Sequence, residues 1–224
     1  MIRVISVNVG QPQTHIHTHP TDGREAEWTS AFWKYPVSGA VRVTKLGVVG
    51  DAQADTKNHG GPDKAALGYA SAHYPVWRAE LPHLDLTPGG FGENLTIDGQ
   101  DETSVCIGDI YKAGDLVMQV TGPRYPCWKI SRRWNQPDLL DRVYSLRRTG
   151  WNFRVLNEGA ISADTELILV DRPRPSLTIA HCFDVIDMPS EFIDSVYQLA
   201  TAPEVATFWQ KMATKALAAV SAPK

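Results

Sequence analysis

Cysteine is scarce in this sequence: Cys106, Cys127 and Cys182 are its only three, and they lie far apart. No two of them form a C-x-x-C pair, which argues against a zinc ribbon and against an iron–sulfur cluster. Their odd number and wide spacing argue equally against a disulfide framework. We therefore expect all three side chains to be free thiols.

Long apolar runs are missing as well. No stretch approaches the roughly 18 apolar residues that a membrane-spanning helix needs. The opening residues, M-I-R-V-I-S-V-N-V-G, alternate like a strand and lack the basic start and apolar middle of a secretory signal. We therefore expect no membrane segment and a reducing cytoplasm as the location.

The sequence has no excess of positive charge. Its 224 residues include 22 Lys and Arg against 25 Asp and Glu, which gives a formal net charge of −3. Without a global positive field, binding of DNA or RNA is not expected, although a local basic patch would suit a small anion. The chain is long enough for one substantial core and a smaller unit.

Residues 1–171 contain short alternating apolar segments that are separated by Gly, Pro and Asp. This pattern predicts a β-rich domain. Within it, capping residues and 3.6-residue periodicity predict helices over 71–81 and 135–148.

The pattern changes after the segment R-P-R-P-S, residues 172–176, which is typical of a linker. Residues 177–224 follow a 3.6-residue apolar period, which indicates a small three-helix domain. The predicted fold class is therefore β-rich α+β, with the β domain at 1–171. The three predicted helices cover 179–186, 190–199 and 205–220.

Cys127 lies in the segment T-G-P-R-Y-P-C-W-K-I, directly after a predicted strand. Pro126 fixes the backbone before it. Arg124 and Lys129 are close in sequence, and residues 121–136 contain no acidic residue. Nearby cations favour the thiolate, which is the form that attacks or binds a metal. The alternative is a small apolar side chain packed at a strand end.

Three histidines occur in the polar segment 11–27, as H-I-H-T-H. In an extended backbone His15, His17 and His19 share one face, where they could bind zinc or another divalent metal. The alternative, which the prolines and glycine of the segment favour, is an exposed polar loop.

A turn-rich segment further on contains a G-G-P sequence between basic residues. Gly60 and Gly61 offer backbone amides without a Cβ to block close approach, and Lys57, His59 and Lys64 add donors. Successive amides in such a turn can form an anion-binding nest. A purely structural turn is the alternative.

Two polar residues elsewhere are candidates for ligand contact. Asn94 ends the glycine-rich loop T-P-G-G-F-G-E-N, where it either donates to a ligand or bonds within its own turn. Arg154 lies among apolar residues of a predicted strand. If it points inward it needs a partner, and an anionic ligand would serve, whereas an outward Arg154 would be solvated.

The sequence resembles the MOSC family, named for the molybdenum cofactor sulfurase C-terminal domain, in motifs that occur in order across most of residues 1–171. These motifs are G-D-A-Q-A-D-T-K-N-H-G-G-P-D-K-A, F-G-E-N-L, G-D-I-Y, Q-V-T-G-P-R-Y-P-C-W-K and G-W-N-F-R-V. The helical C-terminus resembles the YiiM-like branch, the 6-N-hydroxylaminopurine resistance proteins. The histidine segment 11–27 lies outside this pattern.

The resemblance implies a β-barrel domain that binds a molybdenum–molybdopterin cofactor. Cys127 corresponds to the expected protein ligand of molybdenum, which agrees with the preference of soft metals for thiolates. The residues implied to line the pterin, phosphate and metal site are Lys57, His59, Gly60, Gly61, Asn94, Arg124 and Arg154.

The branch implies an oxidoreductase that reduces N-hydroxylated bases and related compounds such as amidoximes. Because the sequence has neither a nucleotide-binding fingerprint nor a set of iron–sulfur cysteines, a separate flavin or iron–sulfur reductase is expected to supply electrons. The sequence leaves the oligomeric state open.

Two other functions remain as alternatives. The first is a module that binds or carries the cofactor or sulfur without turnover. The second is a metal-dependent hydrolase that uses His15, His17 and His19, although the usual barrel for such enzymes needs about 250 residues of alternating strands and helices.

Overall fold

The computed structural model describes residues 1–18, 25–56 and 59–221. The strands in chain order are β1 (Arg3–Val9), β2 (Gln13–Thr18), β3 (Glu25–Ser30), β4 (Tyr35–Pro36), β5 (Val41–Thr44), β6 (Gly47–Val48), β7 (Ala66–Ala70), β8 (Leu95–Asp98), β9 (Ile110–Ala113), β10 (Leu116–Pro123), β11 (Trp151–Asn157), β12 (Gly159–Ile161) and β13 (Ile168–Asp171). The helices are α1 (His73–Glu80), α2 (Lys129–Trp134), α3 (Leu139–Ser145), α4 (Ile179–Asp187), α5 (Ile193–Thr201) and α6 (Thr207–Ser221), with a 3-10 helix at Pro62–Lys64.

A curled eight-stranded sheet forms the framework, in the order β13-β9-β10-β11-β7-β8-β1-β4. Its neighbouring strands are antiparallel except β7 and β8, which are parallel. A smaller sheet, β12-β5-β6, and the β2–β3 hairpin complete the β structure among the described residues. The predicted β-rich α+β class is confirmed.

Strand β10 shows how the sequence pattern builds the core. Its alternate residues Leu116, Met118 and Val120 are fully buried, because successive side chains of a strand point to opposite faces. They belong to one apolar cluster with Trp151 and Phe153 of the adjacent strand β11. The end of the strand stays buried through Pro123, four residues before Cys127.

The three C-terminal helices lie within three residues of their predicted bounds. They pack on the sheet, since Phe183, Leu199 and Trp209 join the same apolar cluster as the strands. Each of these three side chains is almost completely buried. The division of the chain into a domain at 1–171, a linker at 172–176 and a helical domain at 177–224 stays a prediction.

Two other predicted helices differ from the structure. The helix predicted over 71–81 is shorter, and Ser71 does not cap it because its hydroxyl donates to Asp98 instead, at 2.7 Å. The prediction over 135–148 is wrong at its start. Asn135 ends α2 in the left-handed conformation, with φ of 47°, which asparagine tolerates better than most residues.

The polar segment 11–27 is not a loop over its described part. Strands β2 and β3 pair from Gln13 opposite Ser30 to Thr18 opposite Glu25. His15 and His17 therefore share one face, as the extended alternative requires. His19 lies outside the described residues.

Gly150, directly before β11, connects the start of that strand to Arg124, the residue that follows β10. Its carbonyl accepts from the Arg124 amide at 3.0 Å, and its φ is +76°. A Cβ at this position would lie 2.3 Å from the Gly68 carbonyl oxygen. Gly114 has a similar φ of +59°, but nothing lies within 4 Å of the corresponding Cβ position.

We therefore expect Gly150→Ala to lower the free energy of unfolding by more than about 3 kcal/mol, because strain and a backbone clash combine. The matched Gly114→Ala variant meets only the conformational strain and should lose about 1 kcal/mol. Urea denaturation of both variants measures the difference, and equal losses would contradict the proposed clash.

Candidate functional site

A cavity of about 560 Å³ lies where the end of β10 meets three other parts of the chain. One wall is formed by residues 30–34, a second by the turn-rich segment that begins at Asp51, and a third by the start of α6. Of the residues selected from the sequence, Cys127, Arg124, Asn94, His59 and Gly60 line this cavity.

Cys127 stands between β10 and α2, and its side chain is half-buried. The Ile130 amide donates to its carbonyl at 3.1 Å, so the residue belongs to the turn that starts α2. Lys129 lines the same cavity. The thiol therefore faces a cavity with cations beside it, which suits metal binding or nucleophilic attack better than packing.

Arg124 is buried at the cavity wall, with 8% of its surface exposed. Its Nη2 donates to the Phe91 carbonyl at 3.4 Å, whereas its Nη1 has no hydrogen-bond partner among the described residues. Burial lowers the pKa of the guanidinium, and Cys127 opposes that shift. A buried cation with an unsatisfied donor favours an anionic ligand in the cavity.

Asn94 lies at the cavity wall with its amide engaged by the protein. Its Nδ2 donates to the Asn8 carbonyl at 3.2 Å and to Asp51 Oδ2 at 3.0 Å, and its Oδ1 accepts from the Leu67 amide at 3.1 Å. Asp51 also forms an ion pair with the buried Lys34. Asn94 therefore orients the Asp51–Lys34 pair, and these bonds occupy both of its amide hydrogens.

His59 is a neutral group at physiological pH. Burial, followed by the positive charge of Lys129, lowers the pKa of its imidazole to about 4, although Asp55 opposes the shift. Burial also lowers the pKa of Lys64, on the same wall. The imidazole can therefore bind a ligand through a hydrogen bond but brings no charge to the cavity.

The two glycines of the G-G-P sequence both have positive φ, which leaves the anion-binding nest a prediction. Gly60 has φ of +118° and Gly61 has φ of +89°, values that glycine adopts most readily. Gly60 lines the cavity, whereas Gly61 begins the 3-10 helix and is not among the lining residues. Lys57 lies outside the described residues.

Arg154 is not among the residues that line the cavity. Its Nη2 forms an ion pair with Asp63 at 2.6 Å, and its Nη1 lies 3.3 Å from the Pro203 carbonyl. The partner that an inward arginine needs is thus a carboxylate of the same chain. Asp63 precedes Lys64 in the 3-10 helix, so Arg154 holds that helix beside the cavity.

Several cavity residues carry no local sequence signal. Lys34 and Asp51 are 17 positions apart and meet only through folding. The start of α6 also contributes side chains, among them Phe208 and Lys211. An unusual lysine in the apolar run F-W-K-Y is the one feature that could have drawn attention to Lys34.

The histidine face of β2 is packed against aromatic rings. The ring centroid of His15 lies 3.5 Å from that of Trp33 in a stacked arrangement and 5.5 Å from that of Trp28. Burial lowers the pKa of His15, assisted by the charge of Arg133. No group of three or more His, Cys, Asp or Glu side chains with metal-binding geometry occurs in the described part of the chain.

Fold and cavity together define a barrel-type protein with a cationic, cysteine-containing site. The chain belongs to the MOSC domain family, because the family model matches residues 55–168. The predicted family is thereby confirmed.

Individual relatives agree with this assignment. YflK of Bacillus subtilis is 39% identical over 176 residues, which cover 79% of this chain and 76% of YflK. A protein named reductase from Gibberella moniliformis is 41% identical over 163 residues, or 71% of this chain, but the match spans only 29% of that longer protein.

The crystal structure of YiiM from Geobacillus stearothermophilus extends the likeness to the C-terminal helices. It superposes with a TM-score of 0.78 at 32% identity, over 97% of this chain and all of that one. The predicted YiiM-like branch is thereby confirmed. Within residues 1–18, 25–56 and 59–221, no helix is both long and apolar enough to cross a lipid bilayer.

The depressed pKa of His59 predicts a pH dependence of stability. Between pH 6.5 and about 4 the unfolded chain binds a proton at this histidine and the folded chain does not. The free energy of unfolding must therefore fall as pH falls through this window. We expect His59→Gln to remove about 2 kcal/mol of that fall, after allowance for the exposed part of the ring.

Urea titrations of the protein without cofactor at pH 7 and pH 4.5 measure this effect. His83→Gln is the matched control, since His83 is outside the cavity lining and makes one side-chain contact, with Gln136 at 3.3 Å. An identical acid-induced loss in wild type and His59→Gln would show that His59 titrates normally.

Proposed function

We propose that this protein is a molybdenum-cofactor-dependent oxidoreductase that reduces N-hydroxylated compounds. The observation that supports it most is the pairing, in one cavity, of the Cys127 thiol with the buried and unsatisfied Arg124 guanidinium. A soft metal prefers a thiolate ligand, and an anionic cofactor binds best to a cation whose hydrogen-bond donors have no other partner. The cavity offers both on the same short segment.

The charge of the cavity supports an anionic occupant. Among the described residues its lining contains more cations than carboxylates, and Asp51 is already paired with Lys34. The phosphate and the sulfur-rich metal centre of the cofactor are both anionic. The cations in question are Lys34, Lys64, Arg124, Lys129 and Lys211.

In this proposal Cys127 holds the metal and the Arg124 guanidinium binds an anionic part of the cofactor. Gly60 allows close approach, and His59 contributes a neutral hydrogen bond. Lys57 and Gly61 remain proposed contacts on the same turn, while Arg154 acts indirectly by holding Asp63. When bound, the cofactor supplies the two-electron chemistry that removes the hydroxyl oxygen.

The overall reaction consumes two electrons and two protons: the N–O bond breaks, an N–H bond forms and water leaves. Lys64 is the proposed proton source at Nζ, because it lines the cavity and burial lowers the pKa of its ammonium. A separate flavin or iron–sulfur reductase in the cytoplasm is the proposed electron donor. The name of the fungal relative, reductase, is compatible with this chemistry.

Cys127→Ala tests the metal ligand. We expect the variant to lose most of its molybdenum and to reduce benzamidoxime at least about 100-fold more slowly, with reduced methyl viologen as the electron source. Cys106→Ala is the matched control, because Cys106 is buried outside the cavity lining. Full activity of cofactor-loaded Cys127→Ala would refute the assignment.

The same assay separates a reductase from a carrier. A wild-type protein that contains molybdenum and pterin but reduces neither benzamidoxime nor 6-N-hydroxylaminopurine would be a binding module. Reduction by the wild type at many turnovers per molybdenum supports the enzyme.

Arg124→Met should have opposite effects on folding and on cofactor retention. Without cofactor the guanidinium is a buried cation with an unsatisfied donor, so we expect the variant to be as stable as wild type or more stable, by about 1 kcal/mol. With cofactor present we expect molybdenum and pterin content to fall about tenfold or more. Urea denaturation and elemental analysis measure the two effects, and unchanged cofactor content would contradict the role of Arg124.

A further inference from the structure

An aromatic corner stands at the mouth of the cavity, formed by Tyr125 and Phe208. Both rings line the cavity, and they are 46% and 40% exposed. Their centroids are 5.7 Å apart and their planes meet at 64°. In such a corner a third flat ring can lie against one face and edge-on to the other, which are the two arrangements that aromatic rings prefer.

Buried contacts behind the corner fix it in place. Trp209 is 2% exposed, and its ring lies 6.1 Å from that of Tyr125 and 5.7 Å from that of Phe208. Its indole nitrogen donates to the Pro123 carbonyl at 2.9 Å. Gly122 allows this approach, since a Cβ there would lie 2.6 Å from the indole. The corner therefore needs little ordering when a ligand binds.

Depth separates this corner from the most buried polar residues of the cavity. Arg124, Lys34 and Asn94 are all less than a tenth exposed, whereas Tyr125 and Phe208 are near half-exposed. A cofactor stays bound through many turnovers and suits the buried part. A substrate must enter and leave in every turnover, so it suits the exposed part.

We propose that the aromatic corner binds the flat ring of a heteroaromatic N-hydroxylated substrate, and that it makes the protein selective for ring compounds over aliphatic ones. This inference rests on the proposed reductase function and adds the side chains that would select the substrate. Phe208 belongs to α6, so the C-terminal helices supply part of the substrate site. Lys64, whose Nζ lies 5.5 Å from the Phe208 ring centroid, is then close to the substrate.

The test compares cofactor-loaded wild type with Phe208→Ala, Phe208→Leu and Phe208→Tyr. The matched control is Tyr197→Ala, which removes a 55% exposed ring from α5 outside the cavity lining. For each protein we measure kcat/KM for 6-N-hydroxylaminopurine and for acetamidoxime, an aliphatic compound. Binding of adenine, which cannot be reduced at an N–O bond, is measured by equilibrium dialysis. Molybdenum and pterin contents are determined alongside.

We expect Phe208→Ala and Phe208→Leu to lower the ratio of kcat/KM for hydroxylaminopurine to that for acetamidoxime about tenfold, through a higher KM for the ring compound. Adenine binding should weaken by a similar factor. Phe208→Tyr should restore both properties, because it keeps the aromatic face that leucine lacks. Tyr197→Ala should retain the wild-type ratio.

Three results would overturn the inference: an unchanged ratio in Phe208→Ala, an equal loss for both substrates, or a loss of pterin, which would assign the corner to the cofactor. Failure of the reductase proposal can be distinguished from these results, because the wild-type protein would then reduce neither compound. In that case adenine binding decides alone: weaker binding by Phe208→Ala supports the corner as a ring site, and unchanged binding refutes it.

Discussion

The site depends on a guanidinium that the fold buries without a contacting counter-ion from any residue that the structure describes. Arg124 has Glu93 near enough to oppose its burial-induced pKa shift, but that carboxylate is committed elsewhere. Its oxygens accept from the Tyr74 and Thr96 hydroxyls and from the Gly89 and Phe91 amides. Burial of an unsatisfied cation opposes folding, so the protein retains it at a cost in stability. An anion that binds the folded state would recover that stability, which links cofactor binding to folding.

Much of the fold follows from local pattern. The alternation of Leu116, Met118 and Val120 sets the buried face of β10, and the 3.6-residue period after residue 177 locates three helices. The prediction was wrong where one residue type has two roles. Asparagine both begins helices and ends them in the left-handed conformation, and Asn135 does the second. A loop was favoured over an extended segment at β2 because the hairpin lacks apolar alternation, and the rings that pack around His15 belong to residues distant in sequence.

From the residues alone, the candidate site was predictable only where its members are neighbours in sequence, whereas the resemblance to the MOSC family joined the separate segments of His59, Gly60 and Asn94 to it. Cys127 and Arg124 lie three positions apart, so their association is visible without a structure. Asn94 was selected as a ligand donor, whereas in the structure it orients Asp51, a partner 43 positions away. Such a contact depends on how β8 is placed against the turn, and no local period records it. Arg154 was likewise selected as a residue that needs an anionic ligand if it points inward, whereas in the structure it pairs with the carboxylate of Asp63.

One strand end positions two parts of the cavity, the segment that contains Cys127 and the start of α6. The last residues of β10 accept two hydrogen bonds from the start of α6 and the residue before it: the Ala206 amide donates to the Thr121 carbonyl at 2.9 Å, and the Trp209 indole donates to the Pro123 carbonyl. The next residue along the chain is Arg124, followed by the segment that presents Cys127. The proposed metal ligand and the proposed substrate wall are thus anchored to the same few backbone atoms. A shift of α6 would change the distance between them only by breaking hydrogen bonds that are buried, which is costly. The helices therefore act as a fixed wall of the site, and the geometry between thiol and aromatic corner is set before either ligand binds.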